Sequence, residues 1–309
     1  MRGYHGVTIA SGSLTGLPMV HTDFDLPIKN VLHTTCPHFY RGGQEGETEE
    51  QFTDRMAKDL DELIQREGPE TIAAFIAEPI MGAGGVVVPP MSYFPKINAV
   101  LEKYDVRFIA DEVICGFGRT GNWFGTQTFG MKATSISMAK AITSAYFPMS
   151  AITIEEDLYQ AMVDESKKIG TFGHGFTYTA HPVGCAVALK TIEIYERDRI
   201  VEHVRKVAPV FKARLDKLAE HPLVGEARGV GLIGALELVA DKKTRRAFDP
   251  KKMVGATCVN FLQALGLINR AMGDSVAFCP PLIITEQEIN EMFEMVGAAL
   301  DAARALYAR

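Results

Sequence analysis

Three polar residues stand where apolar runs of the sequence end: Glu78 after TIAAFIA, Asp111 (followed by Glu112) after VRFIA, and Lys140 after TSISMA. In an open parallel sheet, ligands bind beyond the carboxyl ends of the strands, so residues at such positions are the ones that meet a substrate. Taken singly, each reads equally as a solvated residue where a strand surfaces. Three in one chain point to a site. No Asp or Glu occurs from Val113 to Ile154, which leaves Lys140 among Ser, Met, Ala, Ile and Tyr with no sequence-local carboxylate. An amine held partly out of water is a nucleophile for carbonyl carbon, so Lys140 is suited to a Schiff base. The competing reading is a lysine whose stem covers apolar surface while its amine reaches water.

Asp111 and Glu112 are followed by Gly116-Phe117-Gly118-Arg119-Thr120-Gly121, a literal GxGxxG. A dinucleotide site is nevertheless excluded. Two carboxylates occupy the place where a pyrophosphate would approach, NWFGTQTFG does not open an amphipathic helix, and the acid expected about 20 residues later is absent. A strand-end lysine together with a strand-end acid able to face a pyridinium nitrogen is instead what pyridoxal phosphate chemistry requires.

Positioning these groups calls for alternating strands and helices. QFTDRMAKDLDELIQREG predicts an amphipathic helix stopped by Gly68-Pro69. TIAAFIAEP and VRFIADE predict buried strands with a helix near 92–104 between them, and TSISMAK and MSAITI predict further strands before a long helix in HPVGCAVALKTIEIYERD. Residues 1–50 read as loops. The alternation argues an α/β fold with a mostly parallel sheet covered by helices. Beyond Asp198, Val204, Val207, Phe211, Leu215 and Leu218 recur at helical spacing, GLIGALELV and SVAFCPP read as strands, and Ile289, Phe293, Val296 and Leu300 share one face of a last helix. The reading is a large domain over 1–195 and a smaller α/β domain over 196–309.

Composition narrows the partners. With 309 residues, 47% of them hydrophobic, the chain supports one large or two ordinary domains. Its net charge of −6 offers no broad attraction to nucleic acid or an anionic membrane, so small molecules and proteins are the expected partners. No apolar run reaches membrane-spanning length and MRGYHGVTIASGSLTG has no signal-peptide core; a cytoplasmic protein is expected. Five widely spaced cysteines without a CxxC pair suggest neither a disulfide framework nor a zinc site.

With YHG at 4–6, AEPIMGAGG at 77–85, ADEVICGFGRTG at 110–121, MAKAITSAYFP at 138–148 and GHGFTYTAHPVGCA at 173–186, the chain resembles class III aminotransferases of the fold-type I pyridoxal phosphate superfamily. Within them it is most similar to the pyruvate-dependent omega-amino acid and amine transaminases. The resemblance implies that Lys140 carries the cofactor as a Schiff base and shuttles the proton, and that Asp111 holds the pyridine nitrogen protonated. Val113 packs on one ring face and Tyr4 on the other, His5 and Gly6 shape the Tyr4 turn, and Glu78 lies near Asp111. Thr177 reaches the phosphate of a neighbouring subunit, which implies a homodimer with shared sites; on residue chemistry alone it is equally a turn threonine. Ala83 stands where ornithine-type relatives carry a glutamate, and Arg270 matches a mobile arginine that binds carboxylates, or is simply a surface arginine.

One departure accompanies the resemblance. Family members carry, ahead of the YHG turn, a Gly-Ser-rich phosphate loop at a helix N-terminus, and no segment here reads as one. The expectation is an N-terminally truncated chain of little activity by itself. The alternatives to a transaminase are an inactive fragment that only dimerises or binds cofactor weakly, and a racemase or decarboxylase on the same scaffold.

Overall fold

The acid-terminated apolar runs form adjacent strands. In the computed structural model, which describes residues 1–307, β1 (Ala74–Ala77), β2 (Arg107–Asp111), β3 (Ser135–Met138) and β4 (Ala151–Ile154) form one sheet in the order β1-β2-β3-β4. The first three run parallel: Ala77 pairs with Ala110, and Asp111 with Ser137. The carboxyl ends of β1, β2 and β3 therefore open on one side, with Glu78 one residue past β1, Asp111 closing β2, and Lys140 two residues past β3.

Helix Glu49–Glu67 begins where Thr48 accepts the Gln51 amide and the Gln51 side chain accepts the Thr48 amide. It ends at Gly68, whose φ of 92° a residue with a Cβ rarely adopts. Its buried Phe52, Met56, Leu60 and Ile64 recur every four residues and face helix Tyr93–Lys103, whose Phe94, Ile97 and Leu101 continue the core to Phe108 on β2. This layer fixes where β1 and β2 end.

A second sheet follows: β5 (Val224–Val230), β6 (Ile233–Leu238), β7 (Arg270–Met272) and β8 (Ser275–Phe278), antiparallel in the order β5-β6-β8-β7. Helices Ile200–Lys217, Val254–Ala264 and Glu286–Tyr307 bury Phe211, Leu215, Leu262, Phe293 and Val296 in its core. No helix among the described residues is long and apolar enough to cross a membrane.

Several expectations need correction. β4 runs antiparallel to β3, the exception in a sheet expected to be mostly parallel; residues 139–150 between them hold a 3-10 turn and no crossover helix. Residues 1–50, read as loops, contain the short helices Ile9–Leu14, Pro18–His21 and Phe39–Gly42. Helix Glu156–Ile169 was not foreseen, although Leu158, Met162, Val163 and Ile169 lie at helical spacing; none of its residues is buried. Helix Val254–Ala264 has no charged residue to mark an outer face, and β5 carries Gly225, Glu226, Arg228 and Gly229, which hide a strand.

Phe211 is fully buried with its ring centroid 5.2 Å from that of Phe293. Phe211→Ala is expected to lower unfolding free energy by about 3–5 kcal/mol, read by urea denaturation at constant slope. A loss below about 1 kcal/mol would show that the second core closes over the gap.

Candidate active site

The buried carboxylate of Asp111 is held from two sides. Its Oδ2 lies 2.7 Å from His5 Nδ1, and its Oδ1 accepts the Val113 amide at 3.1 Å. An ionised carboxylate only accepts, so the His5 proton facing it sits on Nδ1. The turn carrying His5 is secured in its own backbone: the His5 amide donates to Thr15 Oγ1 at 2.9 Å, and that hydroxyl donates to the Gly6 carbonyl at 2.9 Å. Gly6 has φ 127°, and a Cβ there would lie 2.5 Å from Ser11 Oγ. Only glycine fits this turn.

Glu78 braces the same turn from below. Its Oε1 accepts the Tyr4 amide at 2.8 Å and its Oε2 the Gly82 amide at 2.9 Å. Burial pushes its carboxyl from 4.5 up to about 7; the two amide bonds and His5 oppose the rise, Asp111 adds to it, and burial wins. Glu112 takes no part in this group. Its carboxylate turns toward helix Gly125–Phe129, accepting the Gly125 amide at 2.9 Å and the Thr126 amide at 2.6 Å, while burial raises its carboxyl above the usual range. Adjacent acids thus separate, one into the site and one onto a helix start.

Lys140 begins a short 3-10 turn with φ 47°. The expectation of a partly desolvated amine is not met: the side chain is exposed, as are Ser144, Ala145 and Tyr146 just beyond it. An acid-free stretch of sequence removes local carboxylates but does not by itself supply walls. Val113 is half-buried beside Asp111, and Tyr4 and Ala83 are half-buried too. Thr177 lies within 171–180, where every residue is exposed, including Phe176 and Tyr178 at 74% and 78%. Arg270 is exposed at the start of β7, its amide bonded to Asn269 Oδ1 at 2.7 Å. The structure therefore joins Tyr4, His5, Gly6, Glu78, Asp111 and Val113 in one bonded group, with Lys140 at the neighbouring strand end. Thr177 and Arg270 stand outside that group.

The Gly116–Gly121 loop is a packing element. Arg119 donates to the carbonyls of Leu232 at 3.0 Å and Pro280 at 2.6 Å, and Gly231 abuts the Arg119 carbonyl where a Cβ would collide. Thr15 and Gly82 were not foreseen. Thr15 acts through its hydroxyl and Gly82 through its amide, and only the Gly-rich character of AEPIMGAGG hinted at the second. A cluster of His38, Glu226 and Glu237 has ligand-type atoms within 4.8 Å of one another. Arg228 bonds both carboxylates there, so the cluster carries its own counter-charge.

Comparison with known proteins agrees with this geometry. The profile of the family "Aminotransferase class-III" matches residues 1–300. The chain is 48% identical over 299 residues to gamma aminobutyrate transaminase 1, mitochondrial, of Solanum lycopersicum, which covers 97% of this chain and 58% of that protein. It therefore spans less than two thirds of the length of the curated relatives it matches. Among solved structures, a transaminase with L-Ala has 56% identity and a TM-score of 0.97, covering 98% of this chain and 72% of the other. The omega transaminase from Pseudomonas jessenii in complex with PMP has 48% identity and a TM-score of 0.98, covering 100% and 68%.

Glu78 makes a pH prediction. A carboxyl raised from 4.5 to about 7 on folding contributes stability that is fully present below pH 4.5 and is lost as pH rises through 7. At 1.36 kcal/mol per pH unit that amounts to roughly 3 kcal/mol. Glu78→Gln is neutral at every pH and is expected to lose less stability than the wild type between pH 5 and pH 8, measured by denaturant titration. Parallel losses would assign the dependence to another group.

Proposed function

This chain belongs to the class III aminotransferases, and from that premise we propose that it moves an amino group from an amine or omega-amino acid to a keto acid, with pyruvate as the acceptor, using pyridoxal 5′-phosphate. Its fold is the fold-type I arrangement of that family. The observation that carries the reading is the meeting of Glu78, Asp111 and Lys140 at the carboxyl ends of three neighbouring parallel strands, with Asp111 buried and bonded to His5. The relatives' gamma-aminobutyrate names support an omega-amino acid donor, and the neighbour with L-Ala, the aminated form of pyruvate, supports the acceptor.

The residues around Asp111 and Lys140 fit the ring end of the cofactor, while no segment reads as its phosphate loop. A buried carboxylate suits a protonated ring nitrogen, and an exposed amine at the next strand end suits an aldehyde. Asp111 would hold the ring nitrogen, Lys140 the aldehyde carbon, and Val113 and Tyr4 the two ring faces. When bound, the pyridinium ring supplies an electron sink for the pair left as a proton leaves the substrate carbon. Asp111 keeps that charge in place, because its ionised form favours a protonated partner. His5 fixes the direction of Asp111 and closes one side of it to water. Lys140 Nζ would carry the proton between the substrate carbon and the cofactor. Arg270 would bind the keto acid's carboxylate through its planar fork, and Ala83, which has no carboxylate, leaves that arginine free to swing aside for an uncharged donor. We assign 1–195 to the cofactor-binding domain and 196–309 to the smaller one. The exposed stretch 171–180 suits a homodimer in which Thr177 reaches the phosphate bound by the second copy.

Two experiments test this reading. After loading with pyridoxal phosphate and reducing with borohydride, peptide mapping is expected to place the pyridoxyl mass on Lys140; label on another lysine overturns the assignment. In single-turnover kinetics, Arg270→Ala is expected to slow the pyruvate half-reaction by roughly ten- to a hundredfold and the amine half-reaction far less. Equal losses in both halves would make Arg270 structural.

A further inference from the structure

Arg228, on β5, is buried and sends its guanidinium in several directions at once. Nε donates to the Val86 carbonyl at 2.8 Å, and Nη2 to the Gly85 carbonyl at 2.6 Å, to Glu237 Oε2 at 2.9 Å and to Ser275 Oγ at 3.1 Å. Nη1 donates to Glu226 Oε2 at 2.6 Å. The ion pairs hold the arginine in the second sheet, while the two carbonyls belong to a loop of the first.

That loop, 81–87, is closed by Met81 and Val87 exchanging backbone bonds at 3.1 and 3.0 Å. Inside it, buried Val86 has φ 52°. A β-branched residue is disfavoured there and stays only where its surroundings over-determine it. Arg228 is such a surrounding: its planar fork holds two successive carbonyls and two carboxylates at once, more partners than the three donors of an ammonium serve. At the other end of the loop, the Gly82 amide donates to Glu78, Glu78 also accepts the Tyr4 amide, and His5 is bonded to Asp111. Gly84 packs on the Arg2 carbonyl, pressing the same loop onto the segment that carries Tyr4 and His5.

We propose that Arg228 is a positioning residue for the active site: by holding the Gly85 and Val86 carbonyls it keeps Gly82 on Glu78, and through Glu78 keeps the Tyr4–His5 turn on Asp111. The orientation of the site's carboxylate is then set from the second sheet. What the site does rests on the transaminase reading above; the linkage itself is read without turnover.

The test is amide hydrogen exchange with NMR detection of the His5 Nδ1 proton, in the full chain carrying Arg228→Lys, which keeps the charge and loses the fork. Exchange at the Gly82 and Tyr4 amides is expected to rise at least tenfold and the His5 Nδ1 proton signal to broaden or vanish, while amides of β2 keep their protection. Faster exchange confined to β5, β6 and β8, with Tyr4 and His5 as in the wild type, would overturn the proposal. If Arg228→Lys does not fold, Ser275→Ala removes one hydroxyl between Glu237 and Arg228; at least threefold faster exchange at Gly82 and Tyr4 supports the linkage, and unchanged exchange overturns it. Pyridoxal phosphate uptake by the wild type, followed by absorbance, separates the two ideas: uptake supports the transaminase reading, no uptake counts against it for this chain, and either way the linkage is judged on exchange alone.

Discussion

The backbone pairing of β1, β2 and β3 in parallel register is the constraint on which everything else depends. Because Ala77 lies opposite Ala110, and Asp111 opposite Ser137, three chain segments far apart in sequence finish at one edge. Side chains there need little further guidance to converge. A slip of one residue in β2 would turn Asp111 to the other face of the sheet and present its neighbour in its place. Glu112 could not substitute, since it is committed to the amides of Gly125 and Thr126.

Around this edge the polar groups form a network in which each member is fixed by a main-chain atom. Tyr4, His5, Gly82 and Val113 all contribute backbone amides, to Glu78, Thr15 or Asp111. Only the accepting side chain of each bond loses freedom, since the donor is already fixed in the main chain, so such a scaffold holds its geometry before a ligand arrives. Glu78 shows the electrostatic cost of that arrangement. It is a carboxyl buried so thoroughly that two amide donors do not keep it fully acidic. The nearby Asp111 carboxylate adds to that rise.

What could be read from the residue string follows from where information lies. Strand ends marked by a charged residue after an apolar run, and helices with a four-residue apolar period such as Phe52, Met56, Leu60 and Ile64, are local patterns and were legible. Asp111 and Lys140 were found in that way, and Tyr4, His5 and Val113 through the motifs around them. The exposure of Lys140 was not legible, because the absence of nearby acids says nothing about which distant segment covers a side chain. Nor were Thr15 and Gly82, whose parts are played through a hydroxyl and an amide that any turn might carry. Arg228 lies 142 residues from the Val86 carbonyl it binds, so no window of sequence contains both partners. The direction of β4 was left open for a related reason: strand direction is a property of the connection, and the strand's own residues do not encode it.

The first sheet has β1 and β4 at its borders. Within the described residues β4 pairs only with β3, and it presents the sequence AITI, with Ile152 72% exposed and no charge along its length. Unpaired amides and carbonyls on such a border accept any extended segment, whatever its sequence, and natural sheets usually blunt them with lysine, proline or a bulge. None of these devices lies within β4. Among the described residues that border is where a further strand could join this sheet through main-chain bonds alone.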